Sequence, residues 1–260
     1  MFSCIYRRCF CWQTSPQFGR STLNAYSRPR PGIYKTAVYL HHHVMKGRMR
    51  AGKGGDIMKR YGTAGLVMAG GRSSRMGGDK ALLPVGEKTA AARTADMASA
   101  VCDIVVVITN SDETAESLSY VSVNDLRPYE GPLAGIEAGM SAVEAEWYLV
   151  CACDMPLAEE KAASILINEA EKTGADAVIP VIDGRQQPLF AVYSRRVLPE
   201  ISRCLDREER SMKALFRSIH VTEAQEPLFL ESGMTKEALS LLFYNMNRPE
   251  EYDWIISRMT

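Results

Sequence analysis

Residues 68–80, with the sequence MAGGRSSRMGGDK, combine four glycines with the basic side chains Arg72, Arg75 and Lys80. Glycine lets the backbone approach a ligand closely and turn several N–H groups toward it. Amides and cations together hold the oxygens of a triphosphate and stabilise the charge that develops on them. The spacing matches neither a Walker A loop nor the G-x-G-x-x-G dinucleotide pattern. We therefore predict a triphosphate-binding loop of another kind, in preference to a solvated glycine-rich turn.

Three polar side chains follow predicted strands. Asp154 ends the strand 147–152, where a carboxylate that faces a phosphate loop could hold Mg²⁺ or instead cap the following helix. The glycine-rich loop favours the metal. Asp125 could contact a nucleotide, support the metal or form an Asx turn. Asn110 could read a base or a ribose, or cap a turn.

The cysteines favour a reducing compartment. Cys151 and Cys153 are two residues apart, so they point to one face of a strand and could bind a metal, although small core residues are the preferred interpretation. Cys102 and Cys204 indicate no disulfide framework, and we expect a cytoplasmic protein.

These residues need a sheet to bring them together. From residue 62 onward, short apolar runs alternate with helical patterns, which predicts an α/β domain with a mostly parallel sheet. Strands are predicted at 65–69, 104–109, 120–123, 147–152, 177–182 and 188–193, the last two joined by a turn at 183–184, and helices at 88–101, 132–143, 158–173 and 250–258. Ligands bind beyond the carboxyl ends of such strands, which is where the polar residues fall.

Charge divides the chain into two parts. The formal net charge is zero, which argues against a general nucleic-acid binder, and no apolar stretch approaches the ~18 residues of a membrane span. However, residues 1–57 carry ten basic residues and one acidic residue, whereas residues 58–260 carry 21 and 30. We expect 1–57 to be a basic extension that is disordered or lies upstream of a true start at Met58. A transit peptide, a tag-like artefact and a binding arm remain alternatives.

The glycine-rich loop resembles the signature of the nucleotidyltransferases related to molybdenum cofactor guanylyltransferase, roughly L-A-G-G-x-S-x-R-M-G-x-D-K. Further segments resemble later motifs of that family in the same order: GPLAG at 131–135, CDMP at 153–156, QPLFAVY at 187–193 and NMNRPEE at 245–251. The resemblance covers roughly residues 63–252 and none of 1–57. One departure is Arg248, where the family usually has Thr.

The resemblance implies a single Rossmann-like three-layer α/β domain over 58–260, similar to nucleotide-diphospho-sugar transferases. It implies transfer of GMP from GTP to the terminal phosphate of molybdopterin, with release of pyrophosphate and with Mg²⁺ as cofactor. The implied GTP-binding residues are Met68, Ala69, Gly70, Gly71, Lys80, Asn110, Asp125 and Asp154. Lys80, Arg75 and Asp154 would be catalytic, and Asp154 would also bind the metal. Arg185, Gln187, Asn245 and Asn247 would lie on the pterin side.

Two other functions are compatible with these motifs. A related enzyme could use CTP, or another nucleotide, on a pterin or on a sugar or alcohol phosphate. A non-catalytic nucleotide-binding module for cofactor delivery is also possible, but such a module could lose Lys80 and Asp154, and both are present. Contact with other cofactor-assembly proteins or apo-enzymes is expected if an unstable cofactor is handed onward, whereas no nucleic-acid or membrane partner is predicted.

Overall fold

An eight-stranded, mostly parallel sheet forms the middle layer of the protein. The structure is a computed structural model that describes residues 61–70, 79–127 and 130–259. The strand order is β10-β7-β9-β6-β1-β4-β5, with β8 paired to β7, and β9 runs antiparallel to both of its neighbours. The strands are β1 (Tyr61–Met68), β4 (Ile104–Ile108), β5 (Val121–Val123), β6 (Ala145–Ala152), β7 (Ala177–Ile182), β8 (Arg185–Gln186), β9 (Phe190–Ser194) and β10 (Val221–Gln225). A separate hairpin joins β2 (Pro84–Val85) to β3 (Lys88–Thr89).

Helices cover both faces of the sheet. They are α1 (Ala90–Val101), α2 (Asp112–Ser117), α3 (Pro132–Ala142), α4 (Glu160–Thr173), α5 (Leu198–Asp206), α6 (Met212–Phe216), α7 (Glu226–Glu231), α8 (Lys236–Leu242) and α9 (Pro249–Met259). Helices α1, α4, α7 and α8 contribute to one hydrophobic cluster, and α3, α5 and α6 contribute to a second. Successive residues of β1 enter different clusters, since Val67 belongs to the first and Leu66 to the second. The predicted three-layer α/β fold is therefore confirmed.

Two predicted boundaries differ from the structure, and each difference lies at a short hairpin that was not predicted. The helix predicted from residue 88 begins at Ala90, since Lys88 and Thr89 pair with β2. The turn at 183–184 leads into the short strand β8 and not directly into β9, which begins at Phe190. Asp183 and Gly184 have φ angles of 49° and 69°, as in a two-residue hairpin turn that pairs the next residues at once.

Buried cysteines occupy the core as predicted. Cys151 and Cys153 both belong to the cluster that contains α1 and α4. Among the described residues, no group of three His, Cys, Asp or Glu side chains is arranged to hold a metal ion by itself. No helix within these ranges is long and apolar enough to cross a bilayer.

Candidate active site

A cleft of about 720 Å³ opens at the carboxyl edge of the sheet. Four neighbouring parallel strands, β6, β1, β4 and β5, end at this edge. Residues at or just beyond the end of each strand line the cleft: Met68, Ala69 and Gly70 at the end of β1, Asn110 after β4, Asp125 after β5 and Asp154 after β6, together with Asp79 and Lys80. The structure thus brings together residues that the sequence placed at separate strand ends.

Backbone hydrogen bonds extend the sheet beyond its strands and form the floor of the cleft. The amide of Ala69 donates to the carbonyl of Ile108 over 2.9 Å. The amide of Cys153 donates to the carbonyl of Met68 over 3.2 Å. Ala69 and Cys153, the first residues after β1 and β6, are therefore tied to the sheet.

Gly135 allows α3 to approach this floor. A Cβ atom at Gly135 would lie 2.4 Å from Cε of Met68 and 3.2 Å from Oδ1 of Asp125. Both neighbours line the cleft, so a side chain here would displace groups at the site itself. The second glycine of the GPLAG segment thus has a packing reason of its own.

Asn110 and Asp125 form a reciprocal pair. Nδ2 of Asn110 donates to Oδ2 of Asp125 over 3.0 Å, and the amide of Asp125 donates to Oδ1 of Asn110 over 3.0 Å. Burial raises the pKa of Asp125, and the hydrogen bond from Asn110 opposes that rise. The pair leaves Oδ1 of Asp125 outside the Asn110 bond, and both residues line the cleft.

Lys80 is held by its neighbours in sequence and by the distant C-terminal segment. It begins a single 3₁₀ turn whose cap, Asp79, accepts from the amide of Ala81 over 3.0 Å and from the hydroxyl of Thr114 over 2.7 Å. Nζ of Lys80 donates to Oδ1 of Asn247 over 2.7 Å. The sequence analysis did not predict the roles of Asp79 and Thr114. The available signal was that Asp79, a residue type that often caps helices, directly precedes Lys80.

Asp154 lines the cleft from a half-buried position. Burial raises the pKa of its carboxyl group, while the nearby Lys80 and its own backbone amide oppose that rise. The backbone carbonyl of Asp154 accepts from the amide of Met246 over 2.7 Å. The alternative that Asp154 caps the next helix is wrong, because α4 begins at Glu160 and its N-cap position is Glu159.

The donor set suits a magnesium ion that is shared with a substrate. Mg²⁺ is usually bound through one or two carboxylates while phosphate oxygens and water complete the shell. Asp154 supplies one such carboxylate, and the oxygens of Asp79 are already occupied by Ala81 and Thr114. The residues present therefore fit a metal that needs the nucleotide to complete its coordination.

The other predicted residues have different outcomes. Gly71 and Arg75 fall outside the described residues. Arg185 is exposed in β8, and neither Arg185, Gln187 nor Asn245 is among the residues that line the cleft. Nδ2 of Asn245 instead donates to the carbonyl of Phe243 over 3.3 Å. Of the four residues predicted on the pterin side, the structure joins only Asn247 to the cleft, through Lys80.

Comparison with known proteins gives a consistent result. A family model described as a MobA-like NTP transferase domain matches residues 65–225. Proteins named probable molybdenum cofactor guanylyltransferase from Bacillus cereus and Bacillus anthracis are both 38% identical, over 194 and 200 residues. These matches cover 73% and 75% of this chain and 93% and 95% of the relatives.

Solved structures share the fold. Molybdopterin-guanine dinucleotide biosynthesis protein A from Archaeoglobus fulgidus superposes with a TM-score of 0.65 at 24% identity, covering 75% of this chain and 98% of that one. A CMP:2-keto-3-deoxy-manno-octonic acid synthetase superposes with a TM-score of 0.60 at 13% identity, covering 76% and 98%. With the family match over residues 65–225, the sequence and the fold agree: this chain belongs to the MobA-like NTP transferase family.

Proposed function

We propose that this protein transfers GMP from GTP to the terminal phosphate of molybdopterin, which releases pyrophosphate and makes the guanine dinucleotide form of the molybdenum cofactor. The observation that carries the proposal is that Lys80 and Asp154 line one cleft beside the segment 68–70. This cleft lies at the carboxyl edge of the parallel strands, where ligands bind in sheets of this kind. The names of the Bacillus relatives support the choice of substrates.

The reaction requires positioning and charge stabilisation more than proton transfer. An oxygen of the molybdopterin phosphate attacks the α-phosphorus of GTP in line, and the bond from the α-phosphorus to the bridging oxygen breaks. The attacking group is already an anion at neutral pH, so no strong general base is needed. The protein's task is to hold the two anions together and to stabilise the charge on the transferring and leaving groups.

Residues of the cleft divide this task. The segment 68–71 contacts the phosphates, with backbone amides supplied by the residues after Ala69, whose own amide is bonded to Ile108. The Lys80 ammonium stabilises charge on the phosphates, and Arg75 holds the leaving pyrophosphate. Asp154 holds Mg²⁺, which, when bound, supplies positive charge to the phosphate oxygens. The Asn110–Asp125 pair contacts the nucleoside. Asn247 contacts Lys80 at the border of the pterin side. The proposed pterin contacts of Arg185, Gln187 and Asn245 rest on the sequence alone.

Pyrophosphate release tests the proposal. The protein is incubated with Mg²⁺, molybdopterin and either GTP or CTP, and we expect pyrophosphate to form with GTP. Lys80→Ala and Asp154→Ala should each reduce turnover by orders of magnitude while the melting temperature shows a folded protein. Asp253→Asn, at an exposed position of α9, serves as the control.

Each alternative gives a different result. Preferred use of CTP would assign the protein to the cytidylyl branch. GTP binding without pyrophosphate release would indicate a non-catalytic module for cofactor delivery. Near-normal turnover of Asp154→Ala would contradict the metal assignment, and removal of divalent ions with EDTA should stop the wild-type reaction if Mg²⁺ is required.

A further inference from the structure

We infer that Glu251 is a positioning residue for nucleotidyl transfer, because its carboxylate fixes the turn at Asn247 that holds Lys80 in the cleft. The inference rests on the proposed function and deepens it. It concerns a residue of the C-terminal helix that does not line the cleft.

The segment that contains this turn is anchored beside the cleft at several points. Met246 is fully buried with Val85, Ala90 and Ile255 in a small third cluster. Its amide donates to the carbonyl of Asp154 over 2.7 Å. The hydroxyl of Tyr252 donates to the carbonyl of Pro84 over 2.7 Å, which ties α9 to the hairpin that follows Lys80. The segment is therefore attached both to the loop that contains Asp154 and to the hairpin that follows Lys80.

Glu251 organises the turn between these anchors. Its Oε2 accepts from the amide of Asn247 over 2.6 Å and from the amide of Arg248 over 2.9 Å. The carbonyl of Arg248 in turn accepts from the amides of Glu251 and Tyr252, so Arg248 is the N-cap of α9 and Glu251 is its third residue. A glutamate that reaches back to the N-cap amide is one half of a capping box. Here the same oxygen also accepts a hydrogen bond from the amide of Asn247, the residue before the N-cap. Capping of the helix does not require this second bond.

That additional bond sets the direction of Asn247. With its backbone amide held by Glu251, Asn247 directs Oδ1 to Nζ of Lys80 over 2.7 Å, a contact between residues 167 positions apart. An amide oxygen is neutral, so it orients the ammonium without neutralising the charge that a phosphate needs. The three residues form a relay in which Glu251 reaches Lys80 through Asn247.

A double-mutant cycle separates this role from simple stabilisation of the helix. GTP affinity is measured by calorimetry in the absence of molybdopterin, and kcat/KM for GTP is measured in its presence. We expect Glu251→Ala to weaken both by about tenfold, since small displacements of a catalytic group have effects of this order or larger. In a Lys80→Ala background, the same substitution should change GTP affinity less than about twofold. Glu251→Gln retains an oxygen that can accept both bonds and should stay within about threefold of wild type.

Glu250→Gln is the matched control, since Glu250 is an exposed carboxylate in the same first turn, and it should leave both quantities unchanged. Melting temperatures identify any variant that fails to fold, in which case Glu251→Gln and Asn247→Ala carry the test. The inference is overturned if Glu251→Ala behaves like Glu250→Gln. It is also overturned if the loss is equally large without Lys80, or if Glu251→Gln loses as much as Glu251→Ala. A wild-type protein that does not bind GTP overturns the proposed function itself, whereas normal wild-type turnover with an inert Glu251 overturns the inference alone.

Discussion

Asp154 combines a chemical task with an unfavourable location for a charge. Burial raises its pKa in the folded protein above the ordinary value of 3.8, so the folded state binds the proton more tightly than the unfolded chain. The half-buried charge therefore lowers the free energy of unfolding at pH values above the raised pKa, and this penalty disappears well below 3.8, where both states are protonated. We expect Asp154→Asn to raise the melting temperature at pH 8 without divalent metal, and the gain to shrink as the pH falls.

Thermal unfolding of Asp154→Asn, wild type and Asp253→Asn across pH 4 to 8 checks this expectation. A gain of ~1 kcal/mol corresponds to about 2–4 °C for a domain of this size. Asp253→Asn changes an exposed carboxylate and should show no comparable pH-dependent gain. A melting temperature of Asp154→Asn below that of wild type at pH 8 would mean that the attraction to Lys80 outweighs burial.

A charge placed at Asn247 tests whether the neutral side chain there matters for catalysis by Lys80. Asn247→Asp keeps an oxygen within reach of Lys80, but it adds a negative charge that neutralises the ammonium and repels phosphate. We expect kcat/KM for GTP to fall by about tenfold or more, which is less than the roughly 10²–10³-fold lost when a charge-stabilising contact is removed altogether, because Lys80 itself remains. Asn168→Asp adds the same charge on the exposed face of α4 and is the control. Equal activity of Asn247→Asp and wild type would show that Lys80 does not need its full charge.

At the level of elements, the N-cap of α9 is an unusual residue type for that position. Its N-cap is Arg248, which offers no side-chain oxygen to the first turn and places positive charge at the positive end of the helix. We expect Arg248→Thr to raise the free energy of unfolding by about 0.5–2 kcal/mol, because threonine supplies the missing acceptor while Glu251 keeps its own bonds. Urea unfolding measures the change. Arg248→Ala removes the charge without adding a hydroxyl, so threonine must stabilise more than alanine if capping is the cause.

Elements and site differ in how far the sequence predicts them. Buried strands such as β4 and β6 have continuous apolar runs and are predicted to within about two residues. In contrast, β10 is an edge strand whose positions are exposed or half-buried except for Ala224, and it shows no such pattern. Convergence of Asp154, Asn110 and Asp125 follows from the parallel order of strand ends. The Lys80–Asn247 bond does not follow, because it joins residues 167 positions apart through packing of α9 on the β2–β3 hairpin.

The whole molecule is neutral only as a sum of unlike parts. Residues 1–57 carry a net charge of +9 and residues 58–260 carry −9, and the family match lies entirely within the second part. The residues that the proposed reaction requires are therefore all contained in the acidic part of the chain.

This distribution predicts that a protein starting at Met58 folds and works. We expect its melting temperature to be unchanged and its kcat/KM for GTP to lie within about twofold of the full chain, since the family match and every residue proposed for the reaction lie after residue 57. Heparin binding should differ, because the full chain retains nine net positive charges that the shorter protein lacks and should elute at higher salt. Equal activity with unequal heparin affinity would assign the basic segment to a task outside the reaction. Loss of activity at an unchanged melting temperature would instead require the segment to reach the cleft, and would contradict the division of the chain at residue 58.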